Sequence, residues 1–301
     1  MKKQLFLVLL IVVQIIISKD IYSRSEQRTK SVNIKGTEVN YVVHGKGKPI
    51  IMLHGFGLDR ETMIGCMEPI FEGKEGWRRI YFDLPGMGDT PGANWIKNSN
   101  DMLKFVMLFI EKSIADEKFL IAGESYGGYL ARAVATDKSQ QVDGMLLICP
   151  LAVTEMKKRD ITPTRPLFID EELSNNLPMI DRMIFSSFAT IQDRLNWKRI
   201  KKEMISGTDK GDALFRQEIR KEENYALPKK VFKSNLPFNK PSLILTGKQD
   251  NLVGYRDIWQ LTEDYPRASF AVLDRSGHAL QIEQSELFDA LVKNWLLRVE
   301  N

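Results

Sequence analysis

Histidine and cysteine are scarce in this chain, at three and two among 301 residues. Two cysteines, Cys66 and Cys149, are too few for a disulfide framework, and both are expected to be buried free thiols. Charge of one sign is lacking too: 43 Lys and Arg stand against 39 Asp and Glu, a net +4. The basic residues are dispersed and not interleaved with aromatics, which argues against nucleic acid as a partner. The densest basic runs, Lys157-Lys158-Arg159 and Lys198-Arg199 with Lys201-Lys202, are expected on solvated helix faces. There are no internal repeats and no low-complexity tracts. A composition of 43% hydrophobic and 27% charged residues excludes a disordered chain and a multi-span membrane protein. The length fits one α/β domain carrying an insertion.

The one long apolar run lies at the N-terminus. Lys2-Lys3 precedes Leu5 to Ile17, broken only by Gln14, which reads as a signal peptide or membrane anchor over residues 1–25 with cuts expected after Ser18 or Ser23. The run is short for a bilayer span. The expected location is secreted or cell envelope, with membrane association through the segment where it stays uncleaved.

Beyond the leader, residues 31–43 alternate polar and apolar around Val32, Ile34, Val39, Tyr41 and Val43, and then turn at His44-Gly45-Lys46-Gly47, which reads as an antiparallel start. Pro49 to Leu53 is continuously apolar, as a strand buried on both faces should be. The chain then alternates between helices near 60–71, 99–115 and 126–138 and strands at 79–84, 119–122 and 145–149. That rhythm specifies a mostly parallel central sheet with helices on both faces, the α/β class. It breaks over 151–236, read as an inserted helical lid, and resumes with a strand at 242–246, a helix around 256–264, a strand at 269–273 and a last helix carrying Leu287, Leu291, Trp295 and Leu296. The core is therefore 26–150 plus 237–301.

Gly123-Glu124-Ser125-Tyr126-Gly127 between a strand and a helix has the form of a nucleophile elbow, with Gly123 and Gly127 allowing a strained turn that presents Ser125. A serine hydroxyl needs a base to remove its proton. His44 falls in an early turn and is read as exposed, and His54 is placed to brace the loop His54-Gly55-Phe56-Gly57. His278, in the loop after an apolar strand, remains as the base. Asp250, in the loop beyond the 242–246 strand, follows the chain order of serine, acid, histidine. Its rivals are weaker, since Asp257 reads as a helix cap and Asp274 sits too close to His278 in sequence. The backbone N–H groups of Phe56 and Tyr126 are the expected oxyanion donors, and their side chains are placed at the acyl pocket or in the core.

Together with Asp83-Leu84-Pro85-Gly86-Met87-Gly88-Asp89-Thr90, these motifs resemble the α/β-hydrolase superfamily in its lidded, single-domain branch. The resemblance covers residue 31 to the end. It implies structural roles for Asp83 and Gly86, and Thr90 departs from the serine common at its position. A serine at the elbow is unlike the epoxide hydrolases and haloalkane dehalogenases, which use aspartate there. Carboxylesterases, monoacylglycerol lipases, proline iminopeptidases, carbon–carbon bond hydrolases and cofactor-free haloperoxidases remain. The expected activity is hydrolysis of a small or medium acyl ester through an acyl-enzyme, with no metal or organic cofactor. The alternatives are an amidase in which Glu171 or Glu172 holds a substrate ammonium, and a binding protein on the same scaffold.

Overall fold

The computed structural model describes residues 27–301 apart from 162, 164, 234 and 235, so the leader lies outside the described residues. Among those described, no helix is long and apolar enough to cross a membrane. Eight strands form one sheet: β1 (Gln27–Ile34), β2 (Thr37–His44), β3 (Lys48–Leu53), β4 (Trp77–Phe82), β5 (Phe119–Glu124), β6 (Val142–Ile148), β9 (Ser242–Gly247) and β10 (Ala268–Leu273). Their order is β1-β2-β4-β3-β5-β6-β9-β10. Only the β1–β2 and β2–β4 pairs are antiparallel.

The central strands β3, β5, β6 and β9 come from the continuous apolar runs and are buried along nearly their whole length. Burial on both faces follows because helices cover both sides of a parallel sheet. The helix Ser99–Ile114 starts where the Asn98 side chain accepts from Asp101 N at 3.1 Å, and it buries Met102, Phe105, Val106, Phe109 and Ile110. Phe109 stacks on Phe82 of β4 with ring centroids 3.8 Å apart. Each such phenylalanine stabilises the fold by roughly 1.5–3 kcal/mol.

The alternation over 31–43 is the antiparallel start of the sheet, two strands with Lys35 and Gly36 at positive φ turning β1 back on β2. Two local readings need correction. The helix expected around 256–264 is confined to Arg256–Trp259, with a separate 3₁₀ turn at Thr262–Asp264. In the last helix, Ser285–Glu300, the buried stripe is Phe288, Val292, Trp295 and Leu296, and Leu287 is exposed. Trp295 Nε1 donates to Pro241 O at 2.9 Å, and this bond sets the helix's rotation.

The chain between β6 and β9 is mostly helical, with helices at Glu171–Asn176, Met179–Phe188, Arg194–Ile200, Ala213–Arg220 and Glu222–Tyr225. It also holds a short parallel ladder, β7 (Phe168–Ile169) with β8 (Ile191–Gln192), which the apolar pattern did not announce. Phe185, Trp197, Ile200 and Met204 of this segment form a second apolar cluster with Leu58, Ala279 and Ile282 from the sheet's loops. The segment is thereby seated over the C-terminal ends of the parallel strands, where ligand sites of open α/β sheets lie.

Candidate active site

Ser125 ends β5 and precedes the helix Tyr126–Asp137, and its backbone sits at φ 51°, ψ −115°. That conformation is costly for a residue with a Cβ and persists only where the surroundings enforce it. Here Ser125 N donates to Ile148 O at 2.9 Å, while Ser125 O accepts from Tyr129 N at 3.1 Å and Leu151 N at 3.0 Å. The flanking glycines are steric requirements. A Cβ on Gly123 would collide with the Gly127 carbonyl, and one on Gly127 with the carbonyls of Leu53 and His54. Gly127→Ala is expected to destabilise the protein by about 1–3 kcal/mol, because the crowding atoms are backbone. A thermal midpoint equal to wild type would contradict this.

His278 follows β10, and its Nδ1 lies 2.8 Å from Asp250 Oδ2. Asp250 follows β9, and its Oδ1 accepts from Leu252 N at 2.8 Å and Val253 N at 3.1 Å, which fixes the carboxylate. Both side chains are buried. Burial pushes the Asp250 carboxyl up, but the His278 charge and these hydrogen bonds outweigh it and hold the group below its ordinary value. Burial pushes His278 down, and the charge and hydrogen bond of Asp250, with Glu124 behind them, leave it raised above 6.5. The rival aspartates are occupied elsewhere. Asp274 accepts from Gln249 Nε2 at 2.8 Å, and Asp257, inside its helix and not at the cap, accepts from Asp160 N at 3.0 Å.

His54 is buried, with Nδ1 2.8 Å from Gly55 O and Nε2 accepting from Leu84 N at 3.0 Å. Burial lowers its pKa, so it stays neutral and ties the β3 loop to the β4 loop, as its position suggested. Asp83 joins the same brace, accepting from Arg60 N at 2.7 Å and Asp89 N at 2.9 Å, and Gly86 turns with φ +74°. His44 is not the exposed residue expected: it ends β2, largely covered, with Nδ1 3.3 Å from Glu68 Oε2.

The Phe56 and Tyr126 N–H groups have no hydrogen-bond acceptor among the described residues. The two side chains part company. Phe56 lines a cavity of about 220 Å³ above Ser125, whereas the Tyr126 ring is in the core with its hydroxyl donating to Ser99 Oγ at 2.8 Å. Glu171 and Glu172 do not reach this cavity, and Glu172 pairs with Arg194 at 2.7 Å.

Two carboxyls escaped the sequence reading. Glu124, inside the elbow motif, is fully buried, and its Oε1 lies 3.3 Å from His278 Nε2. Neither of its oxygens has a well-aligned hydrogen-bond donor among the described residues, although the Gly55 backbone lies against the carboxylate and favours its charged form. Burial raises Glu124 to about 7, with the His278 charge pulling it down and Asp250 pushing it up. The imidazole therefore stands between two acids. Glu283 accepts from Thr190 N at 2.7 Å and Ile191 N at 2.8 Å through Oε1, and from Gly277 N at 2.6 Å through Oε2. Burial raises it to about 7 against these amides. No alternation or motif marks either glutamate, because their partners are remote in sequence or lie in the turn itself.

Cys149, Asp250 and His278 lie close enough to suggest a metal cluster, with ligand atoms within 4.8 Å of one another. Their chemistry does not suit one. Nδ1 of His278 already faces Asp250, and burial pushes the Cys149 thiol well up, away from the thiolate a metal needs. Cys66 is likewise a buried free thiol, as expected of both cysteines.

Residues 48–285 match the alpha/beta hydrolase fold family. The 2-hydroxy-6-oxononadienedioate/2-hydroxy-6-oxononatrienedioate hydrolase of Paraburkholderia phymatum is 25% identical, over 92% of this chain and 99% of its own. The pimeloyl-[acyl-carrier protein] methyl ester esterase of Legionella pneumophila is 22% identical, over 84% and 97%. An alpha/beta superfamily hydrolase from Oenococcus oeni, solved by crystallography, superposes with a TM-score of 0.80 at 28% identity, covering 90% of this chain and 100% of that one. With the family match spanning most of the chain, and with the sheet order and strand-end loops described above, this protein is a member of the alpha/beta hydrolase fold family.

Proposed function

We propose that this protein is a serine hydrolase that cleaves a carboxylic ester of a small or medium acyl substrate through an acyl-enzyme. The observation that carries the reading is the convergence of three loops: Ser125 on its strained turn, the His278–Asp250 pair at 2.8 Å, and the cavity above them. The esterase and hydrolase names among its relatives support ester chemistry. In this reading His278 Nε2 takes the Ser125 proton as Oγ attacks the ester carbonyl. The oxyanion is held by the Phe56 and Tyr126 N–H groups, preorganised and shielded from water. Nε2 then protonates the departing alcohol. Water, deprotonated by the same nitrogen, attacks the acyl-enzyme, and Ser125 recovers its proton as the acid leaves. The helical segment over 151–236 acts as a lid, and the leader directs the chain to the cell exterior or envelope.

A panel of p-nitrophenyl esters from acetate to palmitate, run beside aminoacyl arylamides, tests the reading. Turnover of esters in preference to arylamides is the expected result; a pure, folded protein inert to every ester would refute it. Glu171 and Glu172 do not line the cavity, so neither is positioned to hold the substrate ammonium of an amidase.

Glu124 adds a pH signature. His278 must be neutral to accept the serine proton, and its pKa is raised above 6.5, so activity is expected to rise with pH through a midpoint above that value. Because Glu124 and His278 titrate together, the midpoint belongs to the pair. Glu124→Gln removes a negative charge that stabilises the imidazolium, so its acid limb in kcat/KM is expected to move to lower pH. A limb that stays in place would show that Glu124 does not act on the base.

A further inference from the structure

Arg159 belongs to a basic run expected to lie in solvent, and Lys157 and Lys158 do, but Arg159 turns inward onto the cavity above Ser125. Its guanidinium is half-buried and donates to three neutral acceptors: Val153 O at 2.8 Å, Leu252 O at 2.6 Å and Thr154 O at 3.2 Å. A guanidinium has five N–H donors, so two remain. No carboxylate pairs with it among the described residues. Asp250 is committed to His278 and the Leu252 and Val253 amides, and Asp257 Oδ2 to Asp160 N.

Arg220, from the helix Ala213–Arg220, lines the same cavity. Its Cζ rests 5.3 Å from the Phe56 ring centroid and 5.1 Å from that of Tyr225, which orients the group without using its donors. It makes no hydrogen bond and no ion pair among the described residues. Burial depresses the Arg159 pKa and the Arg220 charge adds to it, outweighing the opposing pull of Tyr225, Asp250 and Asp257. Several other covered arginines pair with acids, as Arg60 with Asp83, Arg79 with Glu68 and Arg199 with Glu203, whereas Arg132 donates to the Tyr265 hydroxyl and lies over the Phe232 ring. The only acid on the described cavity wall is Glu124, which faces His278.

We propose that Arg159 and Arg220 form an anion subsite in the cavity above Ser125, and that the ester cleaved there carries a free carboxylate. The subsite rests on the reading of Ser125 as the nucleophile. A carboxylate matches the planar forks of the two guanidiniums. A doubly charged phosphate would meet the nearby Glu124 carboxyl at greater cost.

The test is mono-p-nitrophenyl glutarate against the same ester with its free carboxyl methylated. The acid is expected to be the better substrate by about tenfold or more in kcat/KM, the scale of one charge-assisted hydrogen bond. The preference should shrink in high salt. Arg220 makes no hydrogen bond that the fold needs, so Arg220→Gln is the clean variant. It is expected to draw the ratio towards one, chiefly through KM for the acid, and Arg159→Gln should do the same if it folds. A wild-type ratio at or below one, or a ratio that Arg220→Gln leaves unmoved, overturns the subsite. Calorimetric titration with glutarate needs no turnover and separates the two readings. Glutarate binding that Arg220→Gln weakens, in a protein inert to all esters, would uphold the subsite and refute the hydrolase; active protein whose glutarate binding is absent or insensitive to Arg220→Gln would do the reverse.

Discussion

Ser125→Ala is expected to abolish labelling by a fluorophosphonate probe and to lower kcat for any ester by about 10⁴–10⁶. The size follows from the way the site is built. In the proposed mechanism no acyl-enzyme forms without Oγ, and His278 and Asp250 have no proton to transfer. The fold should be indifferent to the change, because Ser125 holds its strained turn through backbone groups: its N–H on Ile148 O, and its carbonyl on Tyr129 N and Leu151 N. The variant should therefore melt with wild type while losing the label. A label that persists would place the reactive nucleophile elsewhere and dismantle the proposed mechanism; a label absent from wild type as well would do the same.

Asp250→Asn should cost about 10⁴ in kcat for a different reason. The amide oxygen can still accept from Leu252 N and Val253 N, so the loop keeps its shape. Its NH₂ group then faces His278 Nδ1 as a donor, which moves the ring proton to Nε2. Nε2–H cannot accept a proton from Ser125. The loss is thus one of tautomer, not of position, and it should persist at every pH where the protein is folded. Loss of the negative charge should also return the His278 pKa towards or below its ordinary value, since Asp250 is what raises it against burial. An NMR titration of the ring in both proteins reads that change directly. A variant within tenfold of wild-type kcat would mean that the base is oriented by another group, and Glu124 is the carboxyl nearest to its other nitrogen.

How much of this was legible before the fold was known depends on whether a residue's role is local. The central strands announce themselves because burial on both faces demands an unbroken apolar run, as in Pro49 to Leu53 and Ser242 to Thr246. Ser125, Asp250 and His278 could be put forward as a candidate triad because each follows a strand closely, and because only three histidines compete for the proposed role of base. The β1–β2 turn at Lys35 and Gly36 shows in the sequence only as a change of phase, from apolar residues at Val32 and Ile34 to apolar residues at Val39, Tyr41 and Val43. Glu124, Arg159 and Glu283 were illegible for a shared reason. Each is a charged residue in a setting where charge ordinarily means solvent, and only tertiary neighbours turn it inward. Arg159 looked like the third of three solvated cations, and no local pattern separates it from Lys157 and Lys158.

Glu283 bears on how substrate and chemistry communicate. One carboxyl grips Thr190 and Ile191 in the helical segment and Gly277 beside the base, so the roof of the cavity and the imidazole share a single fastening. Phe188 tightens it by accepting from Ala279 N at 3.0 Å while its ring lies 6.0 Å from that of His278. A substrate too large for the cavity would lift the roof and tilt the base with it. In the proposed mechanism poor fit would then be penalised in turnover as well as in affinity, making size selection and proton transfer one property of the same joint.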